Sequence, residues 1–362
     1  MKKVTLLLLI TCFALKMQAQ NKSITTAAPF LLITPDARAG GMGDIGVATS
    51  SDAFSIFHNP SKTAFNENQI SIGINYTPWL RNLTDDIFVG GASYVNRFNE
   101  NAAWGVDLKY FSLGTVNLTS PNGDPTGTEN PNELAITGTY ALKLSEKFSM
   151  GIGLKYIHSN YKLRSSDSNL NPINSFAVDI SGYYQSPEEN YGTFNGRYRL
   201  GFNITNIGPK VSYTASNDDF IPTNAKLGGG FDFILDDYNT VGVNLEFTKL
   251  LVPSTPQSHR GWFDGMFISL SDRSFSEELQ ETTWALGAEY LYNNAFAIRA
   301  GYFHESAEKG ARQFFTMGAG FKARAFKLDL SYLINSSDVN NPLENTLRFS
   351  LAFDLGQIYE DY

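Results

Sequence analysis

From residue 70 onward, apolar and polar side chains alternate in short runs. Ile70, Ile72, Ile74 and Tyr76 interleave with Ser71, Gly73 and Asn75. Val106, Leu108 and Tyr110 interleave with Gly105, Asp107 and Lys109, and Met150, Ile152, Leu154 and Tyr156 with Gly151, Gly153 and Lys155. A period of two sends successive side chains to opposite faces of a strand. Fourteen such runs are centred near Ile72, Gly90, Leu108, Thr137, Leu154, Ile180, Phe202, Phe231, Val243, Leu286, Ile298, Met317, Leu328 and Leu351. Water-soluble sandwiches alternate too, so the connections must decide between architectures.

The connections alternate in length. Stretches 99–101, 145–147, 236–238, 293–294 and 322–325 are tight turns, with a medium link at 185–197 on the same side. Between them fall 112–132, 158–174, 205–224, 249–281, 304–313 and 335–345. Outer-membrane barrels have short periplasmic turns, long outside loops and an even strand count. A sandwich has no reason to keep that parity. The polar face mixes small residues with Asp107, Lys109, Lys155, Asp179, Glu246, Glu289, Arg299, Lys322, Lys327, Asp329, Arg348 and Asp354. The other face is Leu, Ile, Val, Phe and Met, with tyrosines such as Tyr76, Tyr110, Tyr184 and Tyr332 near strand ends. That is the apolar-out, polar-in pattern of a barrel in lipid. Closure also removes strand edges, which a bilayer cannot hydrogen-bond. The expected fold is all-β: a fourteen-stranded antiparallel transmembrane barrel preceded by a hatch on the periplasmic side.

Composition agrees. Charged residues are 18% and aromatics 14%, with 31 glycines. Mean hydropathy is −0.20, and no later window offers eighteen apolar residues, so helices do not carry the chain across a membrane. Lys2 and Lys3 followed by an apolar run, Val4 to Leu15, and then Met17-Gln18-Ala19 read as a signal peptide over 1–19, cleaved before Gln20. The one cysteine, Cys12, lies inside that run, where too short an apolar stretch and Thr11 disfavour a lipoprotein site. The mature chain then has no cysteine, which excludes disulfides, thiol catalysis and cysteine-bound metals. Removing Lys2, Lys3 and Lys16 takes the formal charge from −8 to −11. An acidic chain without basic clusters argues against nucleic acid. The expected division is a hatch over 20–66, a barrel over 67–356 and a tail over 357–362.

Residues 30–60 do not alternate. Asp36 is placed to cap a short helix through Arg38 and Ala39 after Pro35. A second helix is expected from Ser51 or Asp52 to just before Asn59-Pro60. Gly40, Gly41, Gly43 and Gly46 would let backbone pass close to a barrel wall. Asp36, Arg38, Gly40, Gly41, Gly43, Asp44, Asn59 and Pro60 are the expected hatch residues. Arg38 and Asp44 are expected to pair with inward charges such as Asp329 and Lys327.

The stretch "PDARAGGMGDIGVATSSDAFSIFHNPSKTAF" resembles the N-terminal signature of the PorV family of the type IX secretion system. "INYTPWLRNLTDDI" and "LKYFSLGTV" resemble the same family. The broader likeness is to FadL-type barrels, with an N-terminal hatch and an Asn-Pro-small motif that Asn59-Pro60-Ser61 matches; relatives commonly carry Ala where Ser61 stands. The resemblance implies a non-enzymatic outer-membrane subunit without cofactor. It would bind the C-terminal signal domains of secreted cargo at the large translocon barrel and carry them to an attachment complex with a sortase-like protease. The last strand, "LRFSLAFDLG", is similar to the signal read by barrel-assembly machinery.

Other motifs carry less. His304-Glu305-Ser306 invites a hydrolase reading, but neighbours on a strand face opposite ways and do not easily cooperate. His58 reads as hatch packing. "GGMGD" lacks the Lys-Ser/Thr of a phosphate loop. The acid pairs Asp85-Asp86, Asp218-Asp219, Asp236-Asp237 and Glu277-Glu278 read as solvated turn acids rather than calcium ligands. Trp79, Leu80 and Arg81 after the first strand, and Trp262, Phe263 and Phe267 in the 249–281 loop, are candidate partner surfaces; lipid anchoring is the competing role for Trp79. Two other functions stay open. One is a FadL-like transporter of hydrophobic small molecules, which needs an apolar pocket by the hatch and an opening in the wall. The other is a purely structural barrel in the same secretion apparatus.

Overall fold

The computed structural model describes residues 24–80, 84–120, 122–161, 171–214, 217–254, 261–337 and 344–359. Fourteen strands form the wall: β1 (Asn68–Pro78), β2 (Ile87–Arg97), β3 (Ala102–Leu113), β4 (Asn132–Ser145), β5 (Phe148–Asn160), β6 (Ile173–Gln185), β7 (Asn195–Ile207), β8 (Asn224–Ile234), β9 (Asn239–Leu250), β10 (Thr282–Tyr292), β11 (Phe296–His304), β12 (Gln313–Ala323), β13 (Phe326–Asn335) and β14 (Leu347–Ile358). Each pairs antiparallel with its neighbours in sequence, and β1 closes on β14 with Ile70 opposite Leu355 and Tyr76 opposite Phe349. Every alternating run has become a strand.

Burial separates the two faces. Leu154, Phe176 and Leu227 are each more than 60% exposed, the outward arrangement that lipid would cover. Asp107, Asp179, Glu246, Glu289, Arg299, Asp329 and Arg348 are buried inside. Aromatics gather at both rims. Tyr76, Phe88 and Tyr110 touch in series on the outer rim, and Tyr94 with Trp104 and Tyr184 with Tyr198 on the inner one. Such girdles sit at headgroup level.

The long connections hold more structure than the sequence suggested. Val116–Thr119 pairs with Pro125–Glu129, and Val211–Thr214 with Asn217–Asp219, as two outer hairpins. The 249–281 connection carries two helices, Trp262–Ile268 and Phe275–Glu281. The second opens with a capping box in which Ser274 and Glu277 satisfy each other's backbone amides. The acid pairs serve turns and caps: Asp236 accepts from the amides of Tyr238 and Asn239 at 2.8 Å, and Asp86 accepts from the Thr115 amide at 2.7 Å.

Residues 24–66 fill the lumen, by a different route from the expected one. The segment does not merely plug the barrel from below. Its first described residues lie among the outer strand ends, where Ala27 and Phe30 pack with Val89, Phe111 and Ile157. It then crosses the interior and leaves at the periplasmic end, where the Arg97 guanidinium donates to the Asn66 carbonyl at 2.7 Å just before β1 begins. The apolar outer ends of β2, β3 and β5 account for this: they offer Phe30 a core inside an otherwise polar lumen.

Candidate functional site

The hatch is built from short caps. Asp36 accepts the Ala39 amide at 2.9 Å and caps α1 (Ala37–Gly40). The second helix, α2 (Ser55–His58), starts a few residues later than expected, because Asp52 holds the preceding turn through the Phe54 amide at 3.0 Å. It stops before Asn59-Pro60, as the proline requires. Asn59 is fully buried; its amide donates to the Val47 and Gly182 carbonyls at 2.8 and 3.1 Å, pinning the hatch to β6. Ser61 shares the Asn59 oxygen and gives its amide proton to Ser181 at 3.1 Å, so the hydroxyl is absorbed locally. His58 packs as expected, with Nε2 2.5 Å from Asp36.

Arg38 and Asp44 do pair with inward wall charges, though not with Asp329 and Lys327. Arg38 pairs with Glu289 and Asp52, both at 2.8 Å, rather than with Asp329. Asp44 pairs with Arg348, not Lys327. Asp329 is held by Arg299 at 2.8 Å, and Arg299 also reaches Glu289 at 2.5 Å. The reason is register. The Ala37 amide is anchored on Ser350 of β14 at 2.8 Å, which sends the Arg38 fork toward β10. The Gly46 and Val47 amides both point at Glu246 of β9, at 2.8 and 2.9 Å.

Glycine sets the fit where the two backbones meet. Gly43 has φ +79°, and its amide donates to Thr316 at 2.9 Å. Across from it, a Cβ on Gly301 would overlap the backbone of Met42 and Gly43. Gly40 and Gly41 pass as closely, against Arg348 of β14 and Gly318 of β12.

Above the hatch a cavity of about 300 Å³ opens among the outer strand ends. Lys155 with Asp179 and Lys226 with Glu246 line it, opposite Trp79, Phe303 and Phe314. Trp79, expected to offer a partner surface with lipid anchoring as the competing role, forms neither. Its ring turns inward, edge-on to Phe111 at 5.6 Å and against Phe314 and Leu333, because the outer lumen supplies an apolar core there. Leu80 is half-buried in a left-handed turn. Arg81 lies outside the described residues, as do the expected signal peptide, His259 and the end of the tail.

On the outer surface the second loop helix is held by ion pairs to neighbouring connections. Lys249 reaches Glu278 at 2.5 Å and Glu281 at 3.2 Å, and Lys309 reaches Glu281 at 2.8 Å. Burial opposes the Glu281 charge, but hydrogen bonds from Lys309, Ser254 and Lys249 outweigh it and hold the carboxyl below its usual range. Phe263, Phe267, Leu270, Phe275 and Leu279 are left more than half exposed. Trp262 is half-buried and edge-on to Phe263, which meets Phe267 at 5.2 Å. Sequence reasoning singled out Trp262, Phe263 and Phe267 and missed Leu270, Phe275 and Leu279, the last two of which the capping box could have placed on a helix. His304 stacks on Trp284 while Glu305 pairs with Arg312, so no hydrolytic arrangement forms there.

The fold is shared with solved structures. The chain aligns with the P. putida toluene transporter TodX at 10% identity and a TM-score of 0.50, over 90% of this chain and 99% of that one. A TodX deltaS2S3 mutant, described as a monoaromatic hydrocarbon channel, aligns at 11% and 0.50 over 89% and 97%. A Pseudomonas aeruginosa FadL homologue aligns at 11% and 0.46 over 89% and 99%. No curated protein matches the sequence. The class is an antiparallel β-barrel closed around its own N-terminal segment. Within it, residues 16–258 match the family described as type IX secretion system protein PorV, and the chain belongs to that family. Family and fold are those of transport or secretion barrels, not of enzymes.

Proposed function

We propose that this protein binds the C-terminal signal domain of secreted cargo at the type IX translocon and carries it to the sortase-like attachment complex on the cell surface. Family membership sets the apparatus. The observation that carries the reading is the exposed apolar side chains of the 249–281 connection, Phe263 against Phe267, with Leu270, Phe275 and Leu279. Contiguous exposed apolar surface of this kind marks partner sites. The lumen beneath is filled by a hatch bonded to β6, β9, β10 and β14, so the role fits docking better than conduction.

The transporter reading finds its cavity beside the hatch. That cavity is lined by charge on one side, and the strands around it stay paired, which weighs against passage of oily molecules. The test is deletion of the gene with complementation by the wild type or by F263S/F267S. Cargo should fail to reach the surface in the deletion strain, and should not co-purify with the double variant. Unchanged secretion in the deletion strain would sink the proposal.

A further inference from the structure

The periplasmic mouth of the barrel holds two like charges face to face. Lys322 of β12 and Lys327 of β13 are direct partners in register, one rung before the tight turn that joins the two strands. Directly opposed residues have Cβ atoms roughly 5 Å apart, and like charges in that position repel. Both belong to the lumen-facing sets of their strands. Lys322 follows Thr316 and Gly320 in alternation, and Lys327 precedes Asp329 and Ser331.

Neither ammonium has a close counter-charge. Among the described residues the Lys322 side chain has no partner, while its backbone amide donates to the Ala295 carbonyl at 2.7 Å and seats the strand end against the neighbouring turn. Lys327 comes no nearer than 3.7 Å to Asp329, whose other oxygen is taken by Arg299 at 2.8 Å. Both side chains reach solvent: that of Lys327 keeps 20% exposure, and Lys322 is half-buried.

The two lysines line a cavity of about 150 Å³ between the hatch and β10 to β13. Its lining includes Asn294 and Glu67, both exposed, so it opens to solvent at the periplasmic end. The charged lining is Arg38, Arg299, Lys322 and Lys327 against Glu67 and Glu289, four cations to two acids, in a chain whose formal charge is −8. Glu289 is already gripped by Arg38 and by Arg299. The unanswered charge is therefore positive, and it sits on the lysine pair.

From this geometry we infer that the periplasmic mouth binds a phosphate group between Lys322 and Lys327. A monocarboxylate answers one ammonium. A phosphate monoester carries a charge near −2 and three acceptor oxygens, so it bridges both. Lysine binds phosphate as a point charge, without the planar fork that arginine needs. Free phosphate and a phosphatidate headgroup share this chemistry. The site lies at the opposite end of the barrel from the 249–281 connection, so it stands apart from cargo docking.

The test uses the full-length mature protein in maltoside micelles, which contain no phosphate. Titration calorimetry at constant ionic strength compares inorganic phosphate, acetate and dihexanoyl phosphatidate. Phosphate should bind at least tenfold tighter than acetate. Lys322→Met should weaken phosphate at least tenfold. Arg324→Met removes an exposed cation of the adjoining turn that does not line the cavity, and should change the affinity less than twofold. Phosphatidate binding tenfold tighter than phosphate would support the site and make the headgroup its source; equal binding would support it with free phosphate as the source. Acetate binding as tightly as phosphate would overturn the inference, and so would no binding by either phosphate compound. Equal losses in the two variants would also overturn it, because a diffuse positive field would then suffice. The wild-type series decides the matter even if a variant fails to fold.

Discussion

Two ionic networks hold this protein together, and they differ in what they are built to do. In the lumen, Arg38, Glu289, Arg299 and Asp329 are almost wholly buried; Arg38 of the hatch grips Glu289 with two prongs, and Arg299 bridges Glu289 and Asp329 within the wall. In the outer loops, Lys249, Lys309 and Glu278 keep 12–15% side-chain exposure and Glu281 only 3%, and they hold one loop to another. Charges taken out of water are costly to leave unpaired, and the cost falls as solvent screens them. The inner network therefore fixes a single position of the hatch. The outer one can yield without unfolding the barrel, which suits a surface that must accept a partner.

The comparison can be broken from the inside first. Gly301→Val drives a side chain into the Met42–Gly43 backbone, so the hatch cannot seat. The variant should fail to give the compact, heat-modifiable band of a folded barrel on unboiled gels. Arg38→Met leaves Glu289 and Asp52 facing each other without their shared cation. It should lose about 3–5 kcal/mol in urea titrations, and R38M/E289M should recover part of that because both charges leave together. At the surface, Lys249→Met should cost no more than about 1 kcal/mol while opening the 249–281 connection to protease.

Acid should loosen the same clamp. Glu281 titrates below its ordinary value of 4.5 when folded, so its contribution is complete above 4.5 and is lost as pH falls through the lower folded value. Loop proteolysis should rise on acidification below pH 4.5 with the barrel still folded. The smallest effect on stability belongs to F263S/F267S, within about 0.5 kcal/mol, because exposed positions contribute little to folding. The same variant should lose its partners in pull-downs.

The wall was legible because alternation is a local signal, repeated fourteen times and reinforced by loop parity. The hatch was legible in kind but not in route. Asp36, Asn59 and the glycines announce caps and close approaches, all of which depend on near neighbours. Arg38 meets Glu289 across 251 residues, and nothing local in either one sets that register. Trp79 misled for a related reason. A tryptophan after a strand looks the same whether it faces lipid or lumen, and the choice was made by Phe30, Phe111 and Phe314. The loop helices were hidden by the expectation of irregular loops, although Ser274 and Glu277 spelled a helix start.

The central claim is that the hatch stays in place while the outer face does the docking. The mature chain is expected to lack cysteine, so a reversible tether can be added cleanly. In A37C/S350C, the new sulfur at 350 takes the place of the oxygen that accepts the Ala37 amide at 2.8 Å. Secretion of cargo should then proceed equally well with the disulfide formed or reduced. Secretion that stops in the oxidised variant and returns on reduction would contradict the account, because it would mean that the hatch must move.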